Sequence, residues 1–216
     1  GLAITAVTGS NSSAATDYQL DSTSKTVAAT ITPATLTPTL SNTGVTKVYD
    51  ATTAAPTGFA PTYTWSGLVA GDSAATLSST SSSYNSKNVS TANQLTVNGL
   101  AITGITGSNS SLATDYVLNA NSKTVAASIT PKTIIANISN TGVSKVYDGS
   151  DAAPTGFAPT YTWSGLVAGD TGAAVGNGGM AYNSPRVALA NQITVSGMTL
   201  SSIVGSNSSL AGDYAL

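Results

Sequence analysis

One segment of this chain returns at a fixed offset without insertion or deletion. Gly1–Leu20 reads GLAITAVTGSNSSAATDYQL, Gly99–Leu118 reads GLAITGITGSNSSLATDYVL, and Gly197–Leu216 reads GMTLSSIVGSNSSLAGDYAL. The offset is 98 residues both times, and it also relates Ser41–Asp72 to Ser139–Asp170, which differ at four positions. The 216 residues are thus two periods plus twenty residues. Solenoid units run about 20–50 residues. A unit near one hundred predicts a string of domains, each closing around its own core.

Apolar and polar residues alternate with period two, which predicts strands. Val27, Ala29 and Ile31 share one face. Leu36, Pro38 and Leu40 oppose Thr35, Thr37 and Thr39, and Tyr63 and Trp65 alternate with Thr62 and Thr64. No window sustains helical spacing, and Gly, Pro, Asn and Asp punctuate the chain about every ten residues, as in antiparallel sandwiches. The fold class expected is all-β, as tandem immunoglobulin-like antiparallel β-sandwich repeats with a period of 98 residues. The copies diverge most over 73–91 and 171–189, where a Ser-rich stretch faces a Gly-rich one and Lys87 faces Pro185. Proline lacks a ladder donor, so this stretch reads as a loop or edge anchored by Tyr84 and Tyr182.

Ile31-Thr32-Pro33 and Ile129-Thr130-Pro131 read as joints between a closing strand and the next opening one. On that phase residues 1–32 are the end of a preceding repeat, 33–130 a complete repeat, and 131–216 a repeat lacking its last strand. A phase opening at Gly1 leaves twenty residues over at the other end. The favoured phase predicts strand exchange between molecules.

Composition removes most chemistry. The chain has no Cys and no His, and all nine acidic residues are Asp. A thiolate or imidazole metal site, a disulfide scaffold and a Ser–His–Asp triad are therefore excluded. Seven scattered Lys and Arg make no footprint for nucleic acid. No apolar run reaches the 18 residues of a membrane helix, and no leader opens the segment, which reads as part of something longer. Charged residues are only 7% against about 25% in ordinary domains. Yet 41% are hydrophobic, so folding rather than disorder is expected. The repeated Asp residues sit in turn-like contexts, unlike a glycosidase pair, so neither an enzyme nor a cofactor is expected.

The remaining candidates are structural first. Val48-Tyr49-Asp50 and Val146-Tyr147-Asp148 read as strands ending in Asx turns. Ala51 stands where the second copy has Gly149, which implies that this position needs no positive φ. The weaker reading joins Asp148, Asp151 and Asp170 as a calcium site, although the first copy has Thr53 in place of Asp151 and calcium wants six to eight oxygens. Asp-Tyr at 17–18, 115–116 and 213–214 is similar to a tyrosine corner, with the hydroxyls of Tyr116 and Tyr214 returning to backbone. Trp65 and Trp163 read as core anchors rather than sugar platforms. Lys47 and Lys145 are weak candidates for an isopeptide bond with an Asn. Five Asn-X-Ser sequons match the glycosylation pattern, which arises easily by chance in so Ser-rich a chain.

Lys-Val-Tyr-Asp-Gly (145–149), Gly-Leu-Val-Ala-Gly-Asp (165–170), Val-Ser-Gly-Met-Thr-Leu (195–200) and the closing Gly-Asp-Tyr-Ala-Leu (212–216) come in an order that resembles the YDG repeat. Such repeats occur in very large bacterial surface and secreted proteins of the filamentous-haemagglutinin type. The chain departs from the pattern at Ala51, where the motif has Gly, and in having Asp-Tyr where Asn-Tyr is commoner. The resemblance implies export across a Gram-negative envelope by two-partner secretion and service as a stalk or spacer of a cell-surface adhesin, supporting attachment or biofilm formation. Neighbouring repeats are then the main partners. The rival expectation is a binding module that contacts host or matrix glycans or proteins through its Thr-rich faces or the 73–91 and 171–189 loops.

Overall fold

The computed structural model describes all 216 residues. It is all-β, with 17 strands in several sheets and three single 3-10 turns. The chain divides into Gly1–Pro33 and Ala34–Leu216.

The first unit holds one 3-10 turn, Ala15–Asp17, and no strand. A backbone bond from Leu2 N–H to the Thr23 carbonyl (2.7 Å) and an ion pair of Lys25 with Asp21 tie it locally. Its last residues belong to no strand and are bare: Val27 is 88% exposed and Ile31 wholly so.

The second unit contains both copies. The first copy supplies β1 (Ala34–Leu40), β2 (Val45–Val48), β3 (Tyr63–Ser66), β4 (Asp72–Ser78), β5 (Ser81–Tyr84), β6 (Gln94–Asn98), β7 (Ala101–Gly107), β8 (Tyr116–Leu118) and β9 (Ser122–Thr130). Three sheets result, in the orders β3-β1-β8, β2-β9-β6-β5 and β4-β7. The long strand β9 lies between β2, to which it is parallel, and β6, to which it is antiparallel. The period-two pattern sets the faces: Leu36, Pro38 and Leu40 are buried on β1, and Leu95 and Val97 on β6. Pro38 is tolerated because β1 pairs with β8 only through Ala34–Leu36 and with β3 only through Thr37–Leu40, so one side of the strand is free there.

The second copy supplies β10 (Lys132–Thr133), β11 (Ile135–Ile138), β12 (Tyr161–Ser164), β13 (Asp170–Gly176), β14 (Gly179–Tyr182), β15 (Ile193–Ser196), β16 (Thr199–Gly205) and β17 (Tyr214–Ala215). Its pairs β10–β17, β11–β12, β13–β16 and β14–β15 mirror pairs of the first copy. Nothing corresponds to β2 or β9. Residues 143–148 form no strand, and β15 pairs on one side only.

One reading is sharpened and one is overturned. The Ser-rich 73–91 stretch, read as a loop or edge, is edge, because it carries most of β4 and all of β5. Both are edges, β4 pairing only with β7 and β5 only with β6. Ladder bonds come from the backbone, so serines can form them, and the buried ring of Tyr84 fixes which face turns inward. The copies also do not close around separate cores. Leu40, Val45, Tyr49, Leu95, Val97 and Ile129 of the first copy join Ile134 and Tyr214 of the second in one cluster of buried residues. Apolar surface left at the end of one copy is covered by the next, which removes it from water without enlarging either copy.

Candidate functional site

The polar groups of the second unit gather at three places: a tyrosine–aspartate clamp in each copy, a lysine-braced turn in each copy, and the junction between copies.

The clamp begins with a glycine. A Cβ on Gly107 would stand 2.4 Å from Asp72 Cα and 2.5 Å from the Gly71 carbonyl oxygen, so no other residue fits at this bulge of the β4–β7 ribbon. Gly205 meets Asp170 Cα and the Gly169 carbonyl in the same way, at 2.5 Å each. That approach presents Asp72 to the chain end: its Oδ2 accepts bonds from the Tyr116 hydroxyl (2.6 Å) and the Ser111 hydroxyl (2.7 Å). The Tyr116 oxygen in turn accepts the Val69 N–H at 2.9 Å. In the second copy Tyr214 and Ser209 each donate to Asp170 at 2.6 Å, and Val167 N–H donates to Tyr214 at 3.1 Å. The corner expectation thus holds in kind but not in partner. The hydroxyl accepts from a backbone N–H 47 residues upstream and donates its own hydrogen bond to a carboxylate. The Tyr116 and Ser111 bonds hold the Asp72 carboxyl below its ordinary range. Burial, and then the Asp170 bond, push the Tyr214 hydroxyl up to about 12.

The turns after Tyr49 and Tyr147 are Asx turns. Asp50 Oδ1 accepts the Thr52 N–H and Asp148 Oδ1 the Ser150 N–H, both at 2.9 Å. Lys47 Nζ donates to Asp50 (2.7 Å) and the Thr52 carbonyl (2.9 Å), and Lys145 Nζ to Asp148 (3.0 Å) and the carbonyls of Ser150 and Ala152. No Asn side chain bonds either lysine. Burial raises the Asp50 pKa, but its bonds to Lys47 and Thr52 outweigh that and lower it. For Asp148 the Ser150 N–H, then Lys145, lower it. One expectation is overturned here. Ala51 adopts φ 63°, close to the 79° of Gly149, so the turn imposes the left-handed region on both residues.

The calcium candidates are not brought together. Asp148 is held by Lys145 and Asp170 by Tyr214 and Ser209, while the Asp151 carbonyl accepts the Tyr182 N–H. No three acidic residues converge on a point. The tryptophans are not enclosed anchors either: Trp65 and Trp163 are half-buried, each beside a tyrosine at ring distances of 5.8 and 5.9 Å. The fully buried large side chains are instead Tyr49, Leu36, Leu95 and Ile134.

The junction was not legible as a site. Val89 N–H donates to Asp213 Oδ1 (2.7 Å), while the other oxygen of Asp213 accepts the Leu210 N–H (2.8 Å). The Tyr49 hydroxyl donates to Ser209 Oγ at 2.6 Å, the Ser209 proton being directed at Asp170, and Lys87 Nζ donates to the Asn207 carbonyl. The rings of Tyr49 and Tyr214 meet edge to face at 5.3 Å. Tyr49 is 1% exposed, and burial raises its hydroxyl pKa. Asp115 makes the same local bond, to Leu112 N–H (2.7 Å), but none to another copy. The available signal was the return of Ser and Asp at 13 and 17, 111 and 115, and 209 and 213, which a turn alone does not demand.

Compared with known protein families, the chain matches the YDG domain twice, over residues 32–124 and 130–216. No curated protein and no solved structure matches it.

Proposed function

The chain belongs to the YDG-domain family across both of its copies, and from that premise we propose that it is a non-catalytic stalk segment of a large secreted or cell-surface bacterial adhesin of the filamentous-haemagglutinin type. It holds an adhesive region away from the cell and so supports attachment and biofilm formation. In this reading each copy is an immunoglobulin-like sandwich, repeated every 98 residues.

The junction carries the proposal. Domains joined by a linker alone move relative to one another. Here β9 runs through Pro131 into β10, and an aromatic seam, a charge-assisted bond to a buried carboxylate and a hydroxyl pair lock the copies together. A spacer needs such a joint, because a stiff one transmits position from copy to copy.

The test is solution scattering on the whole chain and on Asp213→Ala. A single fixed arrangement of residues 34–216 is expected to fit the first, and a broader ensemble the second. Equal flexibility in both would remove the support. Tight glycan binding that vanishes when residues 171–189 are exchanged for 73–91 would replace the stalk with a binding module.

A further inference from the structure

We propose that the first copy is a load-bearing module, whose opening and closing strands form a pair that resists tension along the chain by lengthwise shear. This goes beyond the stalk reading, which asks only for a stiff joint, and it rests on strand direction and register. The opening run of the copy, β1 and β2, lies parallel to its closing run, β8 and β9. One register holds throughout: each partner stands 82 residues on, Ala34 with Tyr116 and Val45 with Ala127 alike. The second copy opens in the same way, with Lys132 beside Tyr214 and Thr133 beside Ala215.

Direction decides how such a pair fails. Parallel partners have their starts side by side, so Ala34 and Thr130 lie at opposite ends of the pairing. Tension between them slides one run along the other and loads the ladder bonds together. An antiparallel hairpin such as β5–β6, pulled at its open end where Ser81 faces Asn98, gives way one bond at a time. Further bonds tie the two runs: Asn119 N–H to the Leu36 carbonyl (3.0 Å), Tyr49 N–H to the Thr130 carbonyl (2.9 Å) and Thr130 Oγ1 to the Lys47 carbonyl (3.3 Å).

The surroundings shield this pairing and fix its trailing ends. Leu36, Val45 and Ile129 are buried on it, which limits access by water that would otherwise replace the ladder bonds. Tension drags β8 and β9 toward Thr130. Their trailing end is Tyr116, whose hydroxyl is held by Asp72 and by the Val69 N–H. Tension drags β1 and β2 toward Ala34. Their trailing end is the enclosed Tyr49 and the turn that Lys47 braces. The tyrosine–aspartate clamp and the lysine brace thus share a role, each stopping one run from sliding. Only Pro131 separates β9 from β10, so load leaving one shear pair passes to the next without slack.

The test is single-molecule force spectroscopy on the whole chain, where introduced cysteines are unique handles because the chain has none of its own. Thr35, Val117 and Thr130 are exposed and suit attachment. In Thr35→Cys, Thr130→Cys the pull shears the two runs. In Thr35→Cys, Val117→Cys the handles sit on directly opposed residues, and the pull peels the same pairing from one end. Unfolding under force reports the barrier along the pulled direction rather than equilibrium stability. At one loading rate the sheared variant is expected to unfold at a force at least about twofold above the peeled one, because several bonds fail together instead of singly. A smaller ratio, equality included, would overturn the proposal. Scattering is recorded without load, so a weak shear pair with one fixed arrangement in solution would sink this inference and leave the stalk reading intact. A strong shear pair with a broad ensemble would do the reverse.

Discussion

Lys47-Val48-Tyr49-Asp50 and Lys145-Val146-Tyr147-Asp148 are the same four residues entering the same Asx turn, with the same lysine brace. One run begins inside a strand with its tyrosine enclosed, and the other lies in no strand with its tyrosine on the surface. The turn is written in neighbouring residues and forms in both places. The strand depends on β9, some eighty residues away, and on a tyrosine of the next copy, so it forms in only one. Local chemistry sets the turn here, and non-local partners set the strand.

The largest effect should separate the two tyrosines. Tyr49→Ala removes a ring wedged among β9, Ser209 and Tyr214, and is expected to cost about 3 kcal/mol or more of unfolding free energy. Tyr147→Ala truncates an exposed ring and should stay within about 0.5 kcal/mol. Urea unfolding followed by tryptophan fluorescence measures both. Equal losses would mean that the burial difference contributes nothing to stability.

A second, smaller separation appears in alkali. The Tyr214 hydroxyl ionises near 12 in the folded chain against 10.0 when free, because burial and the bond to Asp170 favour its neutral form. A folded pKa raised above the unfolded one gives stability that is complete below pH 10 and is lost as the pH climbs through 12. Unfolding midpoints measured across that window should fall steeply for the unmodified chain. They should fall less steeply for Tyr214→Phe, which starts about 1 kcal/mol lower at neutral pH for want of its hydroxyl bonds. An unchanged slope would show that Tyr214 is not the group coupling the junction to pH.

How much of this could be read from the residues alone follows the same division. Alternation placed Leu36, Pro38 and Leu40 on one buried face, and Asp-X-Thr or Asp-X-Ser spacing marked the Asx turns, since both depend on residues close in sequence. The anchoring of Tyr116 and Tyr214 was legible as a role, but Asp72 and Asp170 were not legible as their partners. The junction bonds span 124 and 160 positions, and no spacing rule reaches that far. The tryptophans misled because size argues for burial, whereas here each is only half-buried beside a tyrosine.

The smallest effect tests the turn itself, where the sequence comparison pointed the wrong way. Ala51 bears a left-handed φ of 63°, which costs an L residue about 1–2 kcal/mol. Ala51→Gly relieves that cost, but glycine returns roughly 0.5–1 kcal/mol of it as unfolded-state freedom. The change also deletes a half-buried methyl that rests on the shared core. The net change should therefore lie within about 0.5 kcal/mol. The reciprocal Gly149→Ala has no such contact to gain, since a Cβ there meets nothing within 4 Å. It should weaken its turn by about 0.5–1 kcal/mol, read as faster hydrogen exchange at the Ser150 amide. A gain well above 1 kcal/mol from Ala51→Gly would show that the alanine methyl contributes nothing to the core it touches. The first copy would then keep a strained turn with no packing to offset it.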